Sequence, residues 1–297
     1  MEYLPAGQRV PDTQYRELLT RILRDGQPAA TRQGPRAITL MQQTLRYDLR
    51  NGFPVITDRS LASFWRKPIG ELCAFINGAT TLDQFEEFGC DWWGPWATES
   101  KTQSRGLEIG DIGEGSYGGA FRHFPNGELG GFDQFQHLVE QIRDLPYDRT
   151  HFVSPWIPQY QVRGKGKTPR STIAPCHGWV HVRVINEQLH LHMFQRSGDV
   201  PIGVPANMIQ YSALMLMLER LTGFPASTYY HTISDAHVYE DQIPAARTLV
   251  ERAPPILPTV RLNADGMGIR DIHDFRAEHF EIAEYLPLQP LRIPVSA

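Results

Sequence analysis

A chain of 297 residues and 33.8 kDa, with 41% hydrophobic and 21% charged residues, has ordinary globular composition and enough length to bury a sizeable core without staples. Its net charge of -4 offers no field to draw nucleic acid or an anionic membrane, so any anionic ligand must be held by local arginines. Cys73, Cys90 and Cys176 form neither a disulfide framework nor a CxxC metal pair, which points to a reducing compartment. The opening MEYLPAGQRV lacks a basic-then-apolar secretory pattern, and no run is long enough to span a membrane. A single soluble, cytoplasmic α/β (α+β) domain over residues 1–297 is expected.

Residues 14–25 place Tyr15, Leu18, Leu19, Ile22 and Leu23 on one helical stripe, and Gly26 follows as a stop. A strand is predicted over 37–43. Pro68 suits the first position of a second helix, which Gly78 can close after IGELCAFIN. Residues 94–116, rich in Gly, Ser and charge, read as a loop. The spacing of Phe132, Phe135, Val139 and Ile142 predicts a helix over 132–143, and a strand is predicted over 150–156. The basic stretch 157–173 reads either as a binding loop or as a surface insertion. Strands at 179–184 and 189–194 flank INEQ as a hairpin connection. Residues 206–222 are apolar almost all round, which predicts a helix buried on most sides and ending at Gly223. A last strand is predicted over 226–233.

The chemistry centres on Cys176 in APCHGW. A lone cysteine is most often a small buried hydrophobe. It becomes a nucleophile where a nearby cation promotes the thiolate. Arg196, in QRSGD, is a candidate for that cation and for a phosphate ligand; its plain reading is a solvated strand-end charge. Asn207, after Pro205-Ala206, suits a helix N-cap. Its carboxamide also offers a donor to the 4-oxygen of uracil and an acceptor for the N3 hydrogen, whereas a carboxylate would suit cytosine. His181, His190 and His192 alternate with Val180, Val182, Leu189, Leu191 and Met193. That sets the histidines on the opposite face of a hairpin, and no carboxylate or cysteine completes a ligand set, so no metal is expected.

The segments APCH, QRSGDVPIGVPAN and HTISDAHVY follow one another in the order and spacing of the thymidylate synthases and their hydroxymethylase relatives, which this chain resembles from near residue 30 to its C-terminus. NGFPVIT, GELCAFINGAT, GSYGG, YDRTHFVSPW and FEIAEYLPLQPLRIPVSA agree with the resemblance. It implies a large mixed β-sheet with packed helices and a homodimer formed by sheet-to-sheet contact. It implies Cys176 as the nucleophile at carbon 6 of the pyrimidine, Glu71 as the carboxylate that moves protons at the 4-oxygen, and Tyr117 near carbon 5. Read alone, Glu71 is a helix surface residue. The resemblance makes Asn207 the base reader, and His237 and Tyr239 the sugar pair. Arg32, Arg196 and Ser197 become phosphate ligands, with Arg149 lent across the dimer. Asp199, Trp93, Trp96 and the terminal Ala297 fall on the folate side, although the plain reading of the two tryptophans is core packing.

The implied reaction moves a one-carbon unit from methylenetetrahydrofolate to carbon 5 of dUMP. Hydride capture of the resulting methylene gives a methyl group, and water capture gives a hydroxymethyl group. Arg149-Thr150 stands where synthases usually carry two arginines, YGGAFR replaces YGKQWR, PAN replaces PFN, and the tail ends in a small residue. Smaller side chains would admit water, so the sequence points to a dUMP 5-hydroxymethylase. The alternatives are an ordinary synthase making dTMP and dihydrofolate, a cytidine nucleotide as substrate, which Asn207 disfavours, and a nucleotide-binding homologue without the chemistry.

Overall fold

The computed structural model of the chain describes residues 1–31, 34–127 and 130–295, so Arg32 and Ala297 lie outside the described residues. In chain order the elements are α1 (Gln14–Asp25), β1 (Gln27–Ala29), β2 (Ala37–Asp48), α2 (Lys67–Ile76), α3 (Leu82–Glu87), α4 (Glu99–Gln103), α5 (Tyr117–Arg122), α6 (Gln134–Asp144) and β3 (Phe152–Val153). There follow β4 (Trp179–Ile185), β5 (Gln188–Asp199), α7 (Gly203–Thr222), β6 (Ala226–Tyr239), α8 (Ile243–Val250), β7 (Thr259–Leu262), α9 (Ala264–Gly268) and β8 (Phe280–Ala283).

Six strands form one mixed sheet in the order β1-β2-β6-β5-β4-β3, and β7 pairs with β8 apart from it. Only β5 and β6 run parallel in the large sheet. A parallel pair needs a crossover, and α7 supplies it. Every residue from Val204 to Leu218 is buried, as the all-round apolar pattern requires, and Gly223 ends the helix at φ 82°. Strands β4 and β5 bury Val180, Val182, Val184, Leu189, Leu191 and Met193. His181, Arg183, His190 and His192 alternate onto the open face, as the hairpin pattern predicts. The two-residue turn at Asn186 and Glu187 has φ of 51° and 57°, the left-handed pair that matches strand twist.

The helix over 14–25 stands as read, and α2 stops at Ile76 just before Asn77 and Gly78. Three expectations are corrected. The Asp133 carboxylate accepts the Gln136 N–H at 3.0 Å and caps α6, so Phe132 falls outside the helix and is exposed. The strand predicted over 150–156 shrinks to Phe152–Val153, because the Ser154 N–H goes to the Gln134 side chain at 2.9 Å and Pro155 has no N–H to give. Helix α7 begins at Gly203, so Asn207 lies inside it and caps nothing. Strands β2, β5 and β6 also run past their predicted ends, through Asp48, Asp199 and Tyr239. The polar tracts QRSGD and SDAHVY continue the ladder, because backbone pairing does not depend on side-chain polarity.

The two loop-like stretches are docked together. Residues 94–116 contain a short 3-10 turn, Gly94–Trp96, and α4. Residues 157–173 are pinned to them at both ends. Gln161 Nε2 donates to the Gly115 carbonyl at 2.6 Å, and the Gly115 N–H donates to the Arg170 carbonyl at 2.7 Å. The basic tip at residues 163–167 remains exposed.

Candidate active site

The parallel register of β5 and β6 sets Ser197 opposite Asp235 and Asp199 opposite His237, at the C-terminal ends of both strands. That edge is where parallel sheets usually present ligand-binding groups. The backbone N–H of Arg196 donates to the Cys176 carbonyl at 2.8 Å, which ties APCHGW to this edge. The guanidinium donates from Nε to the Pro175 carbonyl at 2.7 Å and from Nη2 to the Ala174 carbonyl at 2.9 Å. Its Nη2 also donates to Cys176 Sγ at 3.1 Å. Arg196 is therefore no solvated strand-end charge.

Among the three cysteines, Cys176 alone is partly accessible. Burial pushes the Cys73 thiol up to about 12 and Cys90 higher still, so both are inert. Burial raises Cys176 too, but the Arg196 charge and its hydrogen bond pull against it. The Cys176 N–H donates to Tyr117 Oη at 2.6 Å, leaving the phenolic proton free to be given elsewhere. The Tyr117 ring is held between Phe75 and His177, with centroids at 4.5 and 4.6 Å. Burial, with the nearby Arg196 charge, lowers His177 to about 3, so it is a neutral partner of Tyr211 Oη at 2.7 Å.

Glu71 is 6% exposed, which overturns its reading as a helix surface residue. Its Oε1 accepts from the indoles of Trp92 at 2.6 Å and Trp93 at 2.7 Å, and its Oε2 accepts from Gln210 Nε2 at 2.6 Å. Gln210 Oε1 accepts from Asn207 Nδ2 at 2.9 Å, and Asn207 Oδ1 accepts from Gln195 Nε2 at 3.0 Å. A buried carboxylate without such donors would cost several kcal/mol, on the order of what a lost charged hydrogen bond costs. Burial still raises Glu71 to about 7, against the three donors. Asn207 has one donor and one acceptor site committed within the protein, and a carboxamide keeps another of each.

Sequence reasoning missed Trp92, Gln195, Gln210 and His231. The signal for Gln210 was present: a glutamine within the run MIQYSALMLML must find partners once the helix is buried. Trp92 and His231 gave no such signal. At the ends of β5 and β6, Ser197 Oγ donates to Asp235 Oδ2 at 3.2 Å, and the His237 and Tyr239 rings pack edge-on at 5.0 Å. Asp235 Oδ1 and His237 Nδ1 are buried without a hydrogen bond, 3.4 Å apart. Arg149 is exposed at the open face of the sheet, where its carbonyl lies 3.1 Å from His181 Nε2, and it forms no part of the Cys176 cluster.

The family model described as thymidylate synthase matches residues 13–297. The chain belongs to the thymidylate synthase family. It is accordingly a folate-dependent transferase that moves a one-carbon unit to carbon 5 of dUMP. The six-stranded mixed sheet with packed helices is the fold that the resemblance implied.

In this thymidylate synthase-family chain, the residues that the resemblance assigned to the folate are placed as follows. Asp199 Oδ2 accepts from Gln242 Nε2 at 2.9 Å and Oδ1 accepts from the Ile202 N–H at 3.2 Å. Its carboxyl, raised mainly by burial, is only partly covered and keeps lone pairs for a ring N–H. Trp93 stacks on Phe85 at 5.4 Å and meets Trp96 at 5.7 Å, so it packs in the core while its N–H reaches Glu71. Gln242 Nε2 also donates to the Pro294 carbonyl at 3.0 Å, which docks the C-terminal tail beside Asp199. Among the described residues no helix is long and apolar enough to cross a membrane.

Within YGGAFR, the space beside Gly119 is occupied. A methyl group on Gly119 would sit 2.0 Å from the Glu114 carbonyl oxygen, so backbone fills that space. Ala120 and Phe121 are fully buried, with Phe121 edge-on to Phe135 at 4.9 Å.

Proposed function

We propose that the Cys176 thiolate adds to carbon 6 of dUMP and that the methylene formed at carbon 5 is captured by hydride, giving dTMP and dihydrofolate. The reading is carried by one juxtaposition: an accessible thiol at 3.1 Å from Arg196 and next to Tyr117, with a continuous chain of hydrogen bonds from Glu71 through Gln210 and Asn207 to Gln195, the residue before Arg196. Addition at carbon 6 turns the ring into an enolate and makes carbon 5 nucleophilic. Asn207 faces the 4-oxygen and the N3–H with its remaining donor and acceptor. Glu71, near neutrality in its proton affinity, moves protons at the 4-oxygen through water. Tyr117, kept protonated by burial, orients by hydrogen bonding the water that takes the proton lost from carbon 5. Methylenetetrahydrofolate supplies the one-carbon unit, with Asp199, Trp93 and Trp96 holding its pterin. His237 and Tyr239 take the 3′-hydroxyl, and Arg196 and Ser197 take the phosphate.

Hydride capture is supported by the filled space at Gly119, Ala120 and Phe121 and by the tail docked through Pro294, features that would limit the access of water. Water capture to 5-hydroxymethyl-dUMP is the second reading, and it rests on Ala206, a small side chain next to Asn207. Mass analysis of the product from dUMP and methylenetetrahydrofolate separates them. A methyl product with dihydrofolate is expected. A hydroxymethyl product sinks hydride capture, and no change at carbon 5 sinks the transfer itself. Cys176→Ser should lose the covalent nucleotide seen by intact-protein mass.

The chain acts as a homodimer in this reading, with Arg149 reaching the partner's phosphate. The exposed Met41, Phe152 and Ile185 on or beside the sheet support a covered face. Sedimentation showing a monomer at working concentration would remove that role from Arg149.

A further inference from the structure

The hydrogen bonds around Asn207 have a direction that geometry fixes from the Gln195 end. A backbone carbonyl can only accept, so the Gln195 contact to the Ser197 carbonyl at 3.0 Å must be made by Nε2. The same nitrogen then donates to Asn207, whose facing atom must be the oxygen. His231, neutral because burial holds it near 3, places its Nε2–H on Gln195 Oε1 at 2.7 Å and agrees with that orientation. At the other end, the Trp92 and Trp93 N–H groups both fall on Glu71 Oε1 and leave Oε2 to face Gln210. Gln210 bridges the two ends: its nitrogen faces Glu71 and its oxygen faces the Asn207 nitrogen.

This direction bears on which base is read. With Nδ2 and Oδ1 fixed, the free N–H of Asn207 suits the uracil 4-oxygen and the free lone pair suits N3–H. Rotating the carboxamide by half a turn would exchange them and suit the amino group and bare N3 of cytosine. We propose that Gln210 is a positioning residue that uses Glu71 to lock the Asn207 carboxamide in its uracil-reading orientation, and so sets the preference for uracil over cytosine. The inference rests on the base-reading role proposed above for Asn207. Gln210 itself is 0% exposed and lies behind Asn207 in α7. It therefore acts through its neighbours.

The test compares dissociation constants of dUMP and dCMP, by calorimetry with competition for the weaker ligand, in the wild-type chain, Gln210→Met and Gln210→Ala. Binding avoids any dependence on turnover. Gln210→Met keeps the volume and removes both polar ends, and thermal melting reports whether each variant is folded. The expected result is a dUMP-to-dCMP preference reduced about tenfold in Gln210→Met, the worth of a lost internal hydrogen bond, mostly by gain of dCMP affinity. Equal weakening of both nucleotides in a folded variant, with the ratio unchanged, overturns the inference alone. Failure of the wild-type chain to prefer dUMP overturns the base-reading proposal and this inference with it.

Discussion

Arg196 Nη2 lies 3.1 Å from Cys176 Sγ, and the same guanidinium holds the carbonyls of Ala174 and Pro175. One side chain therefore shapes the loop that carries the thiol and lowers the cost of its ionisation. Arg196→Gln should raise the midpoint pH for alkylation of Cys176 by iodoacetamide by about one unit and slow the reaction at pH 8 about tenfold. Arg196→Lys, which keeps the charge without the fork, should fall between. Peptide mapping should find Cys73 and Cys90 unlabelled in the folded protein, because both are buried. An unchanged midpoint in Arg196→Gln would show that the guanidinium does not support the thiolate.

Glu71 gives a pH-dependent stability with a definite sign. Burial raises it from 4.5 to about 7, so between those values the folded chain binds the proton more tightly than the unfolded chain. The stability it contributes is present below its unfolded value and is lost as pH rises through the folded value. The loss amounts to about 3 kcal/mol for a shift of this size. Urea unfolding of Glu71→Gln, compared with wild type from pH 5 to 8, should lack this decline. Parallel pH profiles would contradict it.

Trp92 shares Glu71 Oε1 with Trp93. Trp92→Phe keeps the aromatic contact to Phe64 and removes one donor to the carboxylate. Losing a hydrogen bond to the charged form should raise Glu71 further, by about one unit. The acid limb of kcat/KM against pH should move up accordingly, while the thermal midpoint changes little. An acid limb that stays in place would mean that Trp92 does not tune Glu71.

Gly178, two residues after Cys176, sits at φ 100°, and a methyl group there would lie 2.9 Å from Phe121 Cζ and from Tyr211 Oη. Gly178→Ala should lower stability by about 2 kcal/mol from backbone strain and crowding together. The displaced His177-Tyr211 contact should also cost activity. A urea midpoint equal to wild type would show that the loop relaxes freely.

The sequence by itself determined the family and the main helices and strands, and it singled out Cys176 as the candidate nucleophile, since these follow from residue order, periodicity and the spacing of short motifs. It named Glu71, Tyr117, Asn207 and Asp199 through resemblance, but the plain readings of Glu71 as a surface residue and of Asn207 as a helix cap needed burial and helix bounds to be set aside. Only the tertiary structure decided what each polar group faces. Trp92, Gln195, Gln210 and His231 come from four separate segments, and their pattern of donors and acceptors exists only once α2, α7, β5 and β6 pack together. Packing also bears on the room that the sequence suggested near Tyr117. Small residues in YGGAFR suggest open space, yet space depends on what neighbours fill, and the Glu114 backbone and the Phe121 ring fill it. Side-chain size is written in the chain, whereas the room around it is a property of the fold.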